Sequence, residues 1–179
     1  MPRPSQSAIA ATLLAAVERA TTLPGGAWVS LNASAKLLTR RDMRDAVSSL
    51  DRLVVVELTE HERIDDYEMV TDALAGFKPG TRLAVDDAGA GYASMRHILT
   101  LRPDLIKLDR DWVEAIEGDA ARQALVAGLQ HFAQSLGAKL VAEGIETEPE
   151  LDTLRRIGVE LGQGYLFARP APAETFASR

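Results

Sequence analysis

Short apolar runs rich in Val, Ile and Leu alternate with longer amphipathic stretches about six times along the chain. The runs are AWVSLN (27–32), LVVVEL (53–58), RLAVDD (82–87), DLIKLD (104–109), AKLVAE (138–143) and the less regular VELGQGYLF (159–167). Most are continuously apolar rather than alternating, as strands buried on both faces should be. Between them the periodicity predicts helices at about 8–21, 39–50, 64–76, 93–100, 119–136 and 148–157. Asp119 stands where it would cap the longest helix, and Gly137 where a glycine stop is expected. Repeated βα units need crossover helices and a parallel sheet, so the fold class is α/β. Periodicity leaves open whether the sheet is open and doubly wound or closed as a barrel.

Composition narrows the function. A chain of 179 residues suits one domain, and 46% hydrophobic with 26% charged residues excludes wholesale disorder and a coiled coil. No run of 18 apolar residues occurs, which argues against a membrane span, and Gln6, Glu18 and Arg19 interrupt the N-terminal stretch, which makes a poor secretory signal. The expected compartment is the cytoplasm. The absence of cysteine removes disulfides, thiolate metal sites and cysteine nucleophiles. A net charge of −6 without a basic block argues against polymeric DNA or RNA as partner. With only three histidines, at 61, 97 and 131, any metal site must rely on oxygen ligands, which favours hard divalent cations.

Polar residues gather at the carboxyl ends of the runs. Asn32 ends WVSLN, Glu57 follows VVV, Asp86 and Asp87 follow LAV, Asp109 ends LIKLD, and Glu143 follows LVA. In a parallel sheet those ends lie on one side, where α/β folds carry their sites. Taken singly, Asn32 or Asp87 reads equally well as the N-cap of the next helix. Glu57 and Glu143 do not, because glutamate is a poor N-cap and a carboxylate on an apolar strand needs a cation or hydrogen bonds.

Lys107 interrupts DLIKLD and shares a face with Leu105 and Asp109, so its ammonium is expected to enter the same acidic centre. The competing reading has Lys107 snorkelling from an edge strand. One ammonium does not neutralise Glu57, Asp86, Asp87 and Glu143 together, which points to one or two divalent cations and a two-metal hydrolytic site. DDAGAGYAS (86–94) reads as a tight loop beside a ligand. GQGYLFARP (162–170) offers Gln163, Tyr165, Phe167 and Arg169, a set that can hydrogen-bond to and stack on a nucleobase, although core packing accounts equally well for the aromatics.

Together these motifs resemble the EAL domain family, which hydrolyses the bacterial second messenger cyclic di-GMP. SLNAS (30–34), ELTE (57–60), DDAGAGYAS, DLIKLDRDWV (104–113), AEGIET (142–147) and GQGYLFARP follow one another in family order across 27–172. The resemblance implies a modified TIM-type (β/α) barrel, two magnesium or manganese ions, and cleavage of one phosphodiester to linear pGpG. Carried over by motif, Asn32, Glu57, Asp86 and Asp87 are the implied metal ligands. Glu143 is implied as a ligand or water-orienting base, and Lys107 as the holder of the attacking water or a phosphate oxygen. Glu60 would brace the DDAGAGYAS loop. Glu146 and Gln163 would line the far side, with Phe167 and Arg169 toward the substrate.

The sequence departs from the family at Ala88 and Ala90, where the family loop has Phe and Thr, and it contains no Glu-Ala-Leu tripeptide. The expectation is therefore an incomplete barrel of about six βα units over 1–179, with the helix of 1–25 standing where the family's first two strands would be. Six strands where a closed barrel needs eight would expose edges, so a homodimer or a partner chain is expected to cover them. Catalysis by the chain alone is expected to be impaired. The alternative function is an inactive regulatory module that binds cyclic di-GMP or a protein.

Overall fold

A computed structural model describes residues 26–58, 64–88 and 92–176, with scattered positions between 12 and 23; the side chains at 87, 88, 92–94 and 176 lie outside the description. The helix expected over 8–21 and the Glu60 position therefore fall largely or wholly outside the described residues. The chain forms two compact units.

In the first unit, β1 (Val29–Ala33) pairs in parallel with β2 (Val54–Leu58). Both form where expected, and every residue of β2 is buried. Between them lie α1 (Ala35–Leu38) and α2 (Arg41–Ser49), where the periodicity predicted one helix over 39–50. The difference has a local cause. Ser34 caps α1, its hydroxyl accepting from the Leu37 N–H at 3.1 Å, while Arg40 is extended and separates the two helices. Asn32 is consequently not the cap. After β2, α3 (Tyr67–Ala75) starts at Asp66, whose carboxylate accepts from the Met69 N–H.

The second unit contains β3 (Arg82–Ala88), β4 (Leu105–Leu108), β5 (Lys139–Ala142) and β6 (Leu161–Gly162), each parallel to its neighbour in chain order. Around them lie α4 (Tyr92–Leu101), α5 (Arg110–Val113), α6 (Ala120–Leu136) and α7 (Glu148–Ile157). Asp119 caps α6 through the N–H groups of Ala121 and Arg122, and Gly137 ends it with φ 75°, as the sequence led one to expect. The core of this unit includes Ile106, Leu108, Leu140, Ala142, Val126 and Leu154. Each of the Val, Leu and Ile side chains contributes about 1.5–3 kcal/mol by leaving water.

Two expectations are corrected here. Asp109 serves as a helix cap: its carboxylate accepts from the Asp111 N–H at the start of the short helix α5, which the periodicity did not show. The last run, expected as a strand over 159–167, is strand only at Leu161–Gly162. Beyond that its backbone bonds to the end of β5 and the loop after it, with the Gln163 N–H donating to the Ala142 carbonyl at 2.8 Å and the Leu166 N–H to the Ile145 carbonyl at 3.0 Å.

Candidate functional site

Alternation along the second unit's strands sorts the side chains. Ile106 and Leu108 on β4, and Leu140 and Ala142 on β5, pack into the helix-covered core. Leu105, Lys107 and Val141 must then face the other way, and Glu143, one step beyond β5, continues the face of Val141. On β3 the core residue is Val85, which puts Ala84 and Asp86 on the Lys107 face.

The register between β3 and β4 supplies what the sequence does not show. Val85 stands opposite Ile106 and Ala88 opposite Leu108, so three steps along β3 match two along β4. This is a β-bulge: Asp86 and Asp87 together stand opposite Lys107 alone. A bulge twists its strand and re-aims side chains, and such irregularities favour active-site rims.

Lys107 is the hub of the unit. Its side chain is 8% exposed, and Nζ lies 3.0 Å from Asp86 Oδ1 and 2.6 Å from Glu143 Oε1. The snorkelling alternative is thereby overturned, because β4 has a partner on each side and the ammonium ends among carboxylates. Gln163 Nε2 donates to the same Glu143 Oε1 at 2.6 Å. Among the described residues one cation faces two carboxylates, a negative field that favours a further cation or a polarised water.

In the first unit Asn32 and Glu57 are direct register partners, so their side chains leave the same face of the β1–β2 pair. Asn32 is exposed and Glu57 is buried. The Asp87 side chain lies outside the described residues. Among the described residues no three His, Cys, Asp or Glu side chains gather to hold a metal ion. Asn32 and Glu57 in the first unit, and Asp86 in the second, each offer oxygen donors, the chemistry that suits hard divalent cations.

The remaining expected site residues have partners or exposure of their own. Glu146 is in an ion pair with Arg110 at 3.1 Å on the surface. Phe167 is 53% exposed, and Arg169 lies over the equally accessible ring of Tyr165, with Cζ 4.4 Å from its centroid.

Glu150 was not singled out from the sequence, and it organises the loop that carries Glu143 and Glu146. It accepts from the Ala115 N–H at 3.0 Å and from the Glu146 and Thr147 N–H groups at 2.9 Å. Burial opposes its charge, but these donors outweigh it and hold the carboxyl below the usual glutamate range. The signal was the Thr147-x-x-Glu150 spacing of a capping box, which the structure contains.

Comparison with known proteins gives the family. The EAL domain profile matches residues 6–170. The probable cyclic di-GMP phosphodiesterase PdeD of Escherichia coli K12 is 36% identical over 125 residues, 69% of this chain and 23% of that protein. The cyclic di-GMP phosphodiesterase RocR of Pseudomonas aeruginosa is 39% identical over 97 residues, 54% of this chain and 25% of that protein. The chain thus spans about a quarter of the length of these curated relatives. Among solved structures, the EAL domain of Mycobacterium smegmatis DcpA superposes with a TM-score of 0.81 at 27% identity, over 95% of this chain and 80% of that one. Klebsiella pneumoniae BlrP1, solved with calcium and cyclic di-GMP, gives a TM-score of 0.79 at 31% identity, over 91% of this chain and 44% of that one. The same protein has also been solved with manganese and cyclic di-GMP. The parallel strands and intervening helices are those of a partial TIM-type barrel, and the chain belongs to the EAL domain family.

Proposed function

We infer that this chain is a cyclic di-GMP phosphodiesterase unit that hydrolyses one phosphodiester to give linear pGpG. The observation that carries the reading is the buried Lys107 ammonium between Asp86 and Glu143, opposite the bulge that pairs two aspartates with it. The relatives' names and the cyclic di-GMP complexes of BlrP1 support the substrate. In this reading Asn32, Glu57, Asp86 and Asp87 hold magnesium or manganese. When bound, two divalent cations lower the pKa of a shared water and stabilise charge at phosphorus. Glu143 orients that water and takes its proton, while Lys107 holds the water or a phosphate oxygen. Phe167 and Arg169 bind the substrate, Glu146 and Gln163 line the far side, and Glu60 braces the loop after β3.

The proposal extends to a cytoplasmic setting and to a second copy or partner chain beside the barrel strands. Among the described residues no helix is long and apolar enough to cross a membrane. Because the sequence contains no Glu-Ala-Leu tripeptide, slow turnover by the chain alone is part of the proposal. The test incubates the purified chain with cyclic di-GMP and Mn²⁺ or Mg²⁺, follows pGpG by chromatography and measures binding in parallel. Turnover lost in Glu57→Ala and in Asp86→Ala is the expected result. Binding without turnover would convert the chain into a regulatory module, and neither signal would end the reading.

A further inference from the structure

Gln163 sits in a crossing walled by glycine. Its N–H donates to the Ala142 carbonyl at 2.8 Å, and its own carbonyl accepts from the Ile145 N–H at 3.1 Å. A Cβ placed on Gly164 would stand 2.1 Å from the Ile145 carbonyl oxygen, and one on Gly162 would stand 2.6 Å from Ile145 Cδ1. On the Gly164 flank the obstacle is the Ile145 backbone, which leaves no room for a side chain, whereas on the Gly162 flank it is the end of the Ile145 side chain. Both backbone groups of Gln163 are therefore tied to the segment that carries Glu143, and its side chain starts from a fixed Cα.

From that seat Nε2 donates to Glu143 Oε1 at 2.6 Å, the oxygen that also accepts from Lys107 Nζ at 2.6 Å. The two donors come from different elements: β4 brings the ammonium, and the turn after β6 brings the amide. A carboxylate held at one oxygen from two directions has its plane fixed, and the bearing of its second oxygen is fixed with it. Gln163 is itself exposed, so its amide has water available as an alternative partner. Holding it on Glu143 instead relies on the immobilised backbone, which lowers the entropy cost of that contact.

We propose that Gln163 is a positioning residue that fixes the rotation of the Glu143 carboxylate, so that Oε2 meets the ligand from one direction. The proposal rests on the reading of Glu143 as the residue that acts on the attacking water. It assigns Gln163 to Glu143 rather than to the substrate, which goes beyond the lining role given above.

The test compares Gln163→Met, which keeps the length of the side chain and removes the donor, with the wild-type full chain. Crystal structures of both give the Glu143 conformation, and steady-state kinetics with cyclic di-GMP and Mn²⁺ give kcat and KM separately. The expected result is a rotated or divided Glu143 carboxylate, with kcat lowered about 10–100-fold and KM nearly unchanged. A Glu143 carboxylate that does not move overturns the proposal, whether or not the chain is active. A raised KM with unchanged kcat also overturns it, because Gln163 would then be a substrate contact. Absence of turnover in the wild type would count against the phosphodiesterase reading alone, and the Glu143 conformation in the two crystals would still decide the role of Gln163.

Discussion

Lys107 shows how far a single residue can be read in advance. Its type and place in an apolar run already required a counter-charge, since an ammonium buried without one costs several kcal/mol. Alternation gave its face. The sequence did not show which carboxylates meet it, because Asp86 and Glu143 lie on neighbouring strands whose register is not written in either strand. Removing the ammonium leaves two carboxylates facing each other in a part-buried setting. Lys107→Met is expected to lose about 3 kcal/mol in urea denaturation, with part of the loss recovered in the double variant Lys107→Met/Glu143→Gln. A loss below about 1 kcal/mol would place the pair among the surface ion pairs that contribute little. Glu150 gives a pH prediction. Its folded pKa lies below the ordinary glutamate value, so its stabilisation is present above that value and disappears as pH falls through the folded one. Wild-type stability should therefore fall as pH drops below about 5, and Glu150→Gln should flatten that part of the curve. The same variant should cost about 1–3 kcal/mol at neutral pH, and an unchanged pH profile would remove Glu150 from this role.

At the scale of elements, the legible parts were those whose signal is local. β2 is a continuous apolar run, α6 carries its cap at Asp119 and its stop at Gly137, and α7 spans the predicted residues 148–157. Asp119→Ala should cost about 1 kcal/mol, seen as a lower urea midpoint. The misread parts were those whose backbone is claimed by something distant. The run 159–167 has strand composition, but the hydrogen bonds of Gln163 and Leu166 go to the end of β5 and the loop after it. That packing makes Gly164 a specific requirement. Gly164→Ala places a methyl group against the Ile145 backbone and is expected to cost about 3 kcal/mol or to prevent this turn from forming. Near-wild-type stability together with an unchanged Gln163–Glu143 contact in a crystal structure would contradict the crowding argument.

For the molecule as a whole, two compact units each place oxygen donors at strand ends: Asn32 beside Glu57 in one, Asp86 with Glu143 around Lys107 in the other. If these donors bind divalent cations in the folded chain and not in the unfolded one, binding must raise stability by mass action. Mn²⁺ at about 100 times its dissociation constant should add about 2.7 kcal/mol, read as a higher Tm that EDTA reverses. Glu57→Ala should lose most of that increment, and an equal increment in the variant would exclude Glu57 from the metal site. The sequence by itself determined the α/β class, the order of the motifs and the identity of the acids, because strand burial and helix capping are decided within a few residues. Only the tertiary structure decided that Asp86 and Asp87 together stand opposite Lys107 in the register, that Asp109 is a cap, and that Gln163 reaches Glu143. Those outcomes depend on register and on the close approach of backbones far apart in the chain, where the partner's position, not the residue's own preference, sets the contact.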